Sequence, residues 1–282
     1  MTAWVFAAIM ASAFLQATWN FFAKKSTSNK TALLLVGWLL FGSLAIVPSI
    51  LLTDLSSLTS TSIKYIALSS FVHCIYVFLL GWAYTIGDIS VVYPVSRGLG
   101  IALTAFFAAV LQIDHISNTG FLGIACIVIG IFFMGMREIY RRKGSSGFIA
   151  AVLVAISVSS YSLIDSRAAQ HVPGLFLVAC INLLTIFFAL PILCTKLKQP
   201  VLEVLQFRKK EALMIAASGS AAYLIILWAY TQTSTSYVVA MREFSIVIAS
   251  GYGIFLLKEK LYKSKILALL CITIGIALLK MA

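Results

Sequence analysis

Residues 82–85 read Trp-Ala-Tyr-Thr, and residues 228–231 repeat the same four residues in the same order. An arginine follows each copy at a similar distance, Arg97 in the first half of the chain and Arg242 in the second. A third match pairs CIVIGI at 126–131 with CITIGI at 271–276. All three matches are offset by 145 or 146 residues, about half of the 282-residue chain, which indicates an internal duplication.

The composition assigns this duplicated chain to a membrane. Hydrophobic residues make up 61% of it and charged residues 11%, and the mean hydropathy is +1.03. Soluble domains are roughly half apolar and about a quarter charged. The same figures exclude a disordered chain, and five cysteines are too few for a small disulfide-rich scaffold. Long unbroken apolar runs also differ from the short alternating segments of a β-barrel.

The sequence therefore predicts an all-α polytopic membrane protein. Ten apolar stretches approach the roughly 20 residues that a helix needs to cross a bilayer. They lie at about 3–23, 31–52, 64–86, 89–112, 118–136, 147–166, 174–194, 211–231, 236–257 and 265–281. We expect ten transmembrane helices as two inverted five-helix repeats, over 1–143 and 144–282, because an odd number of spans reverses the second repeat. Such repeats are common in secondary transporters, whose substrate sites lie near the midplane between the halves.

Basic residues report the orientation of these spans. The 21 Lys and Arg against 9 Asp and Glu give a net charge of +12, which in a soluble protein would suggest nucleic acid. In the ten-span arrangement, sixteen of the 21 fall in loops on one side of the membrane and three on the other. Basic loops stay in the cytoplasm. We therefore expect an integral protein of a bacterial inner (plasma) membrane with both termini outside and no nucleic-acid partner.

Several short motifs resemble the EamA-domain type of the drug/metabolite transporter superfamily. They are Gln16-Ala17-Thr18-Trp19-Asn20 with Lys24 after it, and Leu257-Lys258-Glu259-Lys260-Leu261 before an Ile- and Gly-rich last helix. In the first half, residues 111–115 read LQIDH and lack the family's Glu. Residues 161–167 and 242–247 are also similar to a branch associated with phosphonate utilisation. The resemblance implies a transporter with a central cavity and alternating access, and it implies cytoplasmic termini, opposite to the charge distribution.

Arg97 and Arg242 lie inside predicted spans, where a charged side chain costs about 2.5–3.5 kcal/mol on insertion scales. Their helices enter from opposite sides, so both guanidinium groups approach the midplane in pseudo-symmetric positions. Two interpretations stay open: salt bridges between helices, or binding of an anionic substrate group such as a carboxylate or phosphonate. Glu243 adjoins Arg242, but neighbouring helical residues point in different directions, so we expect Glu243 to reach another helix.

Further polar side chains inside the spans are functional candidates. His73, Asp165 and Glu243 could form ion pairs or carry a coupling proton. Pro94, just before Arg97, is expected to kink its helix. A set of polar and aromatic residues is expected to join the two arginines in binding substrate in a cavity. These residues are Gln16, Trp19, Asn20, Tyr76, Tyr84, Tyr93, Tyr161, Trp228 and Tyr230.

The motifs that enzymes and metal sites require are missing from the sequence. There is no HExxH, no GxSxG and no Cys/His cluster, so we expect no catalytic residues, no metal and no cofactor. The sequence favours a secondary transporter of a small zwitterionic or anionic metabolite, such as an amino acid or a phosphonate-like compound. One alternative is an exporter of cationic drugs or quaternary amines by proton exchange, which needs an unpaired acid in the cavity. Another is a non-transporting membrane assembly partner.

The expected partners are therefore the small-molecule substrate and the lipid bilayer. The sequence leaves open whether the chain is a monomer or a homodimer, and whether it imports or exports.

Overall fold

The computed structural model describes residues 1–25, 29–87, 89–141, 147–257 and 262–282, with the side chains of 23–25, 89–90, 136–141, 253 and 256–257 left aside. Within these ranges the chain is helical and contains no β-strand. A short 3-10 helix spans Leu55–Ser57. The α-helices are α1 (Ala3–Lys25), α2 (Lys30–Leu51), α3 (Ser60–Ile86), α4 (Ile89–Val110), α5 (Asn118–Arg141), α6 (Gly147–Ala168), α7 (Gly174–Leu193), α8 (Lys198–Phe207), α9 (Lys209–Tyr230), α10 (Thr235–Arg242), α11 (Phe244–Leu257) and α12 (Lys263–Met281).

Nine of the helices within the described ranges are long and apolar enough to cross a membrane, namely α1 to α7, α9 and α12. Their ends fall within a few residues of the predicted ones. The remaining predicted span, 236–257, is two helices, α10 and α11, which only Glu243 separates. The sequence did not predict α8, whose ten residues are too short to cross a bilayer and expose Leu202, Leu205 and Phe207.

Local side-chain caps mark the starts of α2 and α3. Asn29 Oδ1 accepts a hydrogen bond from the Ala32 N–H at 3.1 Å. Thr59 Oγ1 accepts from the Ser62 N–H at 3.2 Å, and Ser62 Oγ accepts from the Thr59 N–H at 3.3 Å, which is a capping box. Such caps satisfy N–H groups that the first helical turn leaves without partners. Pro94 lies inside α4, and the helix continues on both sides of it.

Helices α5 and α12 pack backbone against backbone. A Cβ atom on Gly275 would lie 2.6 Å from the carbonyl oxygen of Gly123, and one on Gly130 would lie 2.8 Å from that of Ala268. The order of these contacts along the two helices makes them antiparallel. Small residues allow helix backbones to approach closely, and in a membrane this dispersion contact replaces the hydrophobic driving force between helices.

The two halves of the chain interleave. Helix α3 packs against α6 and α7, and α9 packs against α1 and α2. Helix α4 packs against α6, while α10 and α11 pack against α1. The largest cluster of buried hydrophobic residues draws on both halves, from Val5 to Leu279. The ranges 1–143 and 144–282 therefore share one core.

Candidate functional site

A cavity of about 390 Å³ opens at one end of the helix bundle. It lies between the C-terminal parts of α1 and α3, the first turns of α2 and α12, and the middle of α11. No Asp or Glu is among the described residues that line it. Its lining combines apolar walls with three aromatic and five polar side chains: Trp19, Tyr84, Tyr93, Asn20, Lys30, Thr31, Ser250 and Lys265.

Four polar side chains lie one helical turn, about 6 Å, deeper in the bundle than the wall of this cavity. Each is four residues from a side chain that lines the cavity. They are Gln16 on α1, His73 on α3, Arg97 on α4 and Arg242 at the end of α10. Together with the three residues that contact them, Asp165, Tyr223 and Glu243, we call them the buried polar layer.

Arg97 forms an ion pair with Glu243. Its Nη2 lies 3.1 Å from Glu243 Oε1, and its Cζ lies 5.8 Å from the centre of the Tyr93 ring. The two paired side chains are only 10% and 3% exposed. Within the described residues, Arg97 Nε and Glu243 Oε2 have no hydrogen-bond partner. The pair thus joins the two halves of the chain and retains one donor and one acceptor for a further molecule.

Arg242 is held differently from its counterpart in the first half. Its Nε donates a hydrogen bond to Gln16 Oε1, and its Cζ lies 5.8 Å from the centre of the Tyr223 ring. No carboxylate of the described residues forms a salt bridge with it. Gln16 Nε2 also has no partner among those residues. A neutral amide and an aromatic face therefore position Arg242 without neutralising its charge.

Asp165 is the second buried carboxylate of the layer and is fully shielded. Ser69 Oγ donates a hydrogen bond to its Oδ1, and the Tyr223 hydroxyl donates one to its Oδ2. His73 Nε2 lies 3.8 Å from the same Oδ2. The other ring nitrogen of His73, Nδ1, lies 3.0 Å from the carbonyl oxygen of Ser69. Helix α3 of the first half and helices α6 and α9 of the second half thus meet at Asp165.

The structure distributes the nine other predicted binding residues over three places. Trp19, Asn20, Tyr84 and Tyr93 line the cavity. Gln16 lies in the buried polar layer, and the Tyr161 ring packs 4.4 Å from the His73 ring and 5.3 Å from the Tyr76 ring.

The last two of the nine do not line the cavity, although Tyr230 lies near enough to Arg242 to interact with its charge. The structure does not bring Trp228 and Tyr230 to the cavity, because α9 begins at the cavity end and finishes at the opposite end. Trp228 is 45% exposed, and Tyr230 is buried at 4% exposure.

Sequence reasoning did not single out Tyr223, Ser69 or the two cavity lysines, Lys30 and Lys265. Tyr223 is one of eleven tyrosines, and Ser69 is a small polar residue of a kind that membrane helices tolerate anywhere. The lysines were assigned to cytoplasmic loops. Their position at the first turns of α2 and α12 could have suggested a cavity role, since those turns face the ends of other helices.

A hydrogen-bonded contact between the halves lies at the end of the bundle opposite the cavity. Asp114, in the segment after α4, accepts hydrogen bonds from the N–H groups of Thr235 at 3.1 Å and Ser236 at 2.7 Å. It also accepts one from Ser236 Oγ at 2.6 Å. The Tyr237 hydroxyl accepts a hydrogen bond from the Ser117 N–H at 3.0 Å. The bonds from the Thr235 and Ser236 N–H groups to Asp114 cap the first turn of α10, where helices leave N–H groups without partners.

Within the part of the chain that the structure describes, no group of three or more His, Cys, Asp or Glu side chains could hold a metal ion. The five cysteines, Cys74, Cys126, Cys180, Cys194 and Cys271, are all unpaired with one another.

Comparison with known proteins gives a match to one protein family and a match to solved structures. Residues 145–281 match the EamA-like transporter family. One solved crystal structure has the same fold, with a TM-score of 0.76 at 14% identity, over 100% of this chain and 98% of that one. No curated protein matches the chain in sequence. The family match supports the drug/metabolite transporter superfamily and suggests a membrane transporter of that type.

Proposed function

We propose that the chain is a secondary transporter of a small organic anion or zwitterion that works by alternating access. The observation that carries this proposal is the setting of Arg242, one turn deeper than the cavity wall. A neutral amide, Gln16, and the ring of Tyr223 position its guanidinium, and no carboxylate of the described residues forms a salt bridge with it. A carboxylate or phosphonate group can pair with a guanidinium in a bidentate way, which makes it the favoured ligand.

The two buried acids argue against the cationic alternative. Glu243 faces Arg97 at 3.1 Å, and Asp165 accepts hydrogen bonds from Ser69 and Tyr223. A site for quaternary amines needs an acid whose charge is not already balanced, but the charge of Glu243 is balanced by Arg97 and Asp165 is fully buried. The assembly-partner alternative receives no support from any contact of the described helices.

The volume and walls of the cavity limit the size of the substrate. A volume of about 390 Å³ is at the lower end of the range for small-molecule sites. Trp19, Tyr84 and Tyr93 provide apolar surface beside the charged groups. An amino acid or a phosphonate-like compound with a compact body fits this combination.

An inverted ten-span repeat accounts for the helix packing. In this interpretation α10 and α11 together form the ninth of ten crossings, and α12 forms the last. The packing of α3 on α6 and α7 then corresponds to that of α9 on α1 and α2, with the halves exchanged. Gly123 and Ala268 occupy equivalent repeat positions, and so do Gly130 and Gly275. The contact between Gly123 and Gly275 is therefore repeated, with the halves exchanged, by the contact between Ala268 and Gly130. A pseudo-two-fold axis in the membrane plane produces such an exchange.

The same interpretation orients the cavity. Sixteen of the 21 Lys and Arg fall in the sequence stretches 24–30, 137–143, 196–210 and 258–265, which include the described helix ends on the cavity side. By the positive-inside rule that end faces the cytoplasm, and both termini lie outside. The state described here is then open inward, and the bonds between Asp114 and the start of α10 close the outer end. Alternating access requires these bonds to break while the cavity end closes.

Uptake into reconstituted vesicles tests the proposal. The purified chain is placed in liposomes and offered a panel of labelled amino acids, phosphonates, carboxylates, nucleosides and quaternary amines. Gly251→Ala serves as a matched variant, because no atom lies within 4 Å of a Cβ placed there. The proposal expects uptake or exchange of an anion or zwitterion by both proteins. Transport of quaternary amines alone, or of nothing in the panel, would count against it.

A further inference from the structure

The protonation of His73 follows from its two neighbours. Nδ1 lies 3.0 Å from the carbonyl oxygen of Ser69, which can only accept, and 3.3 Å from Ser69 Oγ, whose single proton is donated to Asp165, so Nδ1 carries a proton. In a neutral ring Nε2 would then be bare, and its lone pair would face Asp165 Oδ2 at 3.8 Å. A lone pair facing a carboxylate is unfavourable. The arrangement becomes favourable when one further proton is bound between the ring and the carboxylate.

We propose that His73 and Asp165 form a proton-binding site that is coupled to Arg242 through Tyr223, so that a proton and an anionic substrate are bound together. The inference rests on the proposed function for the identity of the second ligand. The proton site itself rests only on the side chains of His73, Asp165, Tyr223 and Arg242 and on the carbonyl and hydroxyl groups of Ser69.

Tyr223 contacts both Asp165, in the proton-binding site, and Arg242, where the anion would bind. Its hydroxyl donates to Asp165 Oδ2, and its ring lies against Arg242, with the Cζ 5.8 Å from the ring centre. The His73 ring also packs against the Tyr223 ring at 5.7 Å between centres. A ligand that draws the Arg242 guanidinium away therefore disturbs the side chain that completes the bonding of Asp165.

Charge balance sets the sign of the coupling. Among the described residues, the buried polar layer holds two arginines, two carboxylates and His73, so with a neutral imidazole its charges cancel. An anion added alone would leave a net negative charge inside the membrane, which is costly. A proton taken up by the His73–Asp165 pair restores neutrality. The proton comes from water in the cavity, whose wall includes Val77, one turn from His73.

Four helices present side chains to this part of α3. Helix α6 presents Tyr161 and Asp165 to His73, α9 presents Tyr223, and α2 presents Trp38, whose ring centre is 6.2 Å away. Helix α7 presents Thr185, which donates to the Ser70 carbonyl and does not titrate. The Tyr223 ring that contacts His73 also contacts the guanidinium of Arg242. Asp165 is therefore the acidic partner of the ring and Arg242 its opposing cation.

The test uses the full chain in detergent micelles with ¹⁵N-labelled histidine, and His73→Gln assigns its signals against those of His115 and His171. Nitrogen shifts report which ring atoms carry protons. We expect Nδ1 of His73 to be protonated at every pH at which the protein is folded. We also expect a several-fold smaller doubly protonated fraction at neutral pH in Asp165→Asn, and an unchanged fraction in the exposed control Asp54→Asn.

Arg242→Gln tests the coupling without any substrate, because it removes the charge that a bound anion would neutralise. The doubly protonated fraction of His73 should rise in this variant by linkage. A bare Nδ1 in the unaltered protein, which needs no variant to fold, would overturn the proton site. An unchanged fraction in Arg242→Gln would overturn the coupling. Neither result depends on transport, so failure of the proton site can be distinguished from failure of the proposed transport function.

Discussion

The carboxylate of Glu243 lies 3.1 Å from the guanidinium of Arg97, although the two residues come from opposite halves of the chain. Glu243 also occupies the single position between α10 and α11. The interruption of the helix therefore coincides with the ion pair that ties the halves together. Half-helices that end inside a membrane are typical of transporter binding sites, where irregular backbone lines a cavity.

Removing one partner of this pair should destabilise the protein more than removing both. Glu243→Gln leaves a buried guanidinium without its counter-charge, which costs about 3–5 kcal/mol in comparable buried pairs. The double variant Arg97→Gln with Glu243→Gln leaves no unbalanced charge and should recover a large part of that loss. Thermal unfolding in one detergent measures both. Equal destabilisation by the single and double variants would mean that the attraction between Arg97 and Glu243 does not stabilise the protein.

Arg242 should be needed for anion transport rather than for folding. Arg242→Ala should lower transport by roughly tenfold to a hundredfold, the value of a charge-assisted hydrogen bond of about 1.5–3 kcal/mol. Arg242→Lys should rescue poorly, because an ammonium cannot replace the planar donor fork. Initial rates in vesicles with matched protein amounts give the comparison. Normal rates in both variants would remove Arg242 from the binding site.

Gln16→Glu should change which sign of ligand charge the site binds. A carboxylate at this position would accept from Arg242, as the amide does now, and would also neutralise it. Anion binding should then be lost, while a transporter of cations would gain affinity. Binding to the purified protein, measured calorimetrically for anionic and cationic members of the panel, separates these outcomes, and Gln16→Ala controls for the loss of the amide.

Asp114→Ala should weaken the closure of the end opposite the cavity. The carboxylate caps two N–H groups of α10, and the loss of a cap costs about 1 kcal/mol, or roughly a fivefold shift between two states. In a cysteine-free background, a cysteine in place of the buried Ser245 should react faster with an impermeant thiol reagent added from the side of the termini. The same rate with and without Asp114 would show that these bonds do not hold the end closed.

The close approach of α5 and α12 should be intolerant of side chains at Gly275. A Cβ there would meet the Gly123 carbonyl oxygen at 2.6 Å, and backbone cannot yield as a flexible side chain does. Gly275→Ala should therefore destabilise the protein by about 1–3 kcal/mol. Gly251→Ala, with open space around the new methyl group, should be neutral or slightly stabilising. Equal melting temperatures for the two variants would contradict the packing.

The sequence predicted most of the helices because each apolar run is long and bounded by charged or turn-forming residues. It missed α8, since ten amphipathic residues between Lys198 and Phe207 resemble a loop. It also missed the interruption at Glu243, because no proline or glycine marks it within the apolar run. Helix interruptions of this kind depend on tertiary contacts, here the capping of α10 by Asp114 and the pairing of Glu243 with Arg97.

The candidate site was predictable only in part. The charges of Arg97 and Arg242 inside predicted spans marked these residues as candidates. Because adjacent helical residues point in different directions, the sequence also predicted that Glu243 contacts another helix. The different surroundings of the two arginines could not be read from the repeat, which makes them equivalent. Their difference arises from Gln16 and Tyr223, and no local pattern shows that these residues approach Arg242.

The measurement that tests the central claim most directly is ligand-dependent thermal stability of the purified protein, with Arg242→Ala beside it. A ligand that binds only the folded state raises the melting temperature in proportion to its occupancy. We expect one or more carboxylates, phosphonates or amino acids to stabilise the unaltered protein, and we expect Arg242→Ala to abolish the shift. Stabilisation by quaternary amines but by no anion or zwitterion, with the same shift in Arg242→Ala, would contradict this expectation.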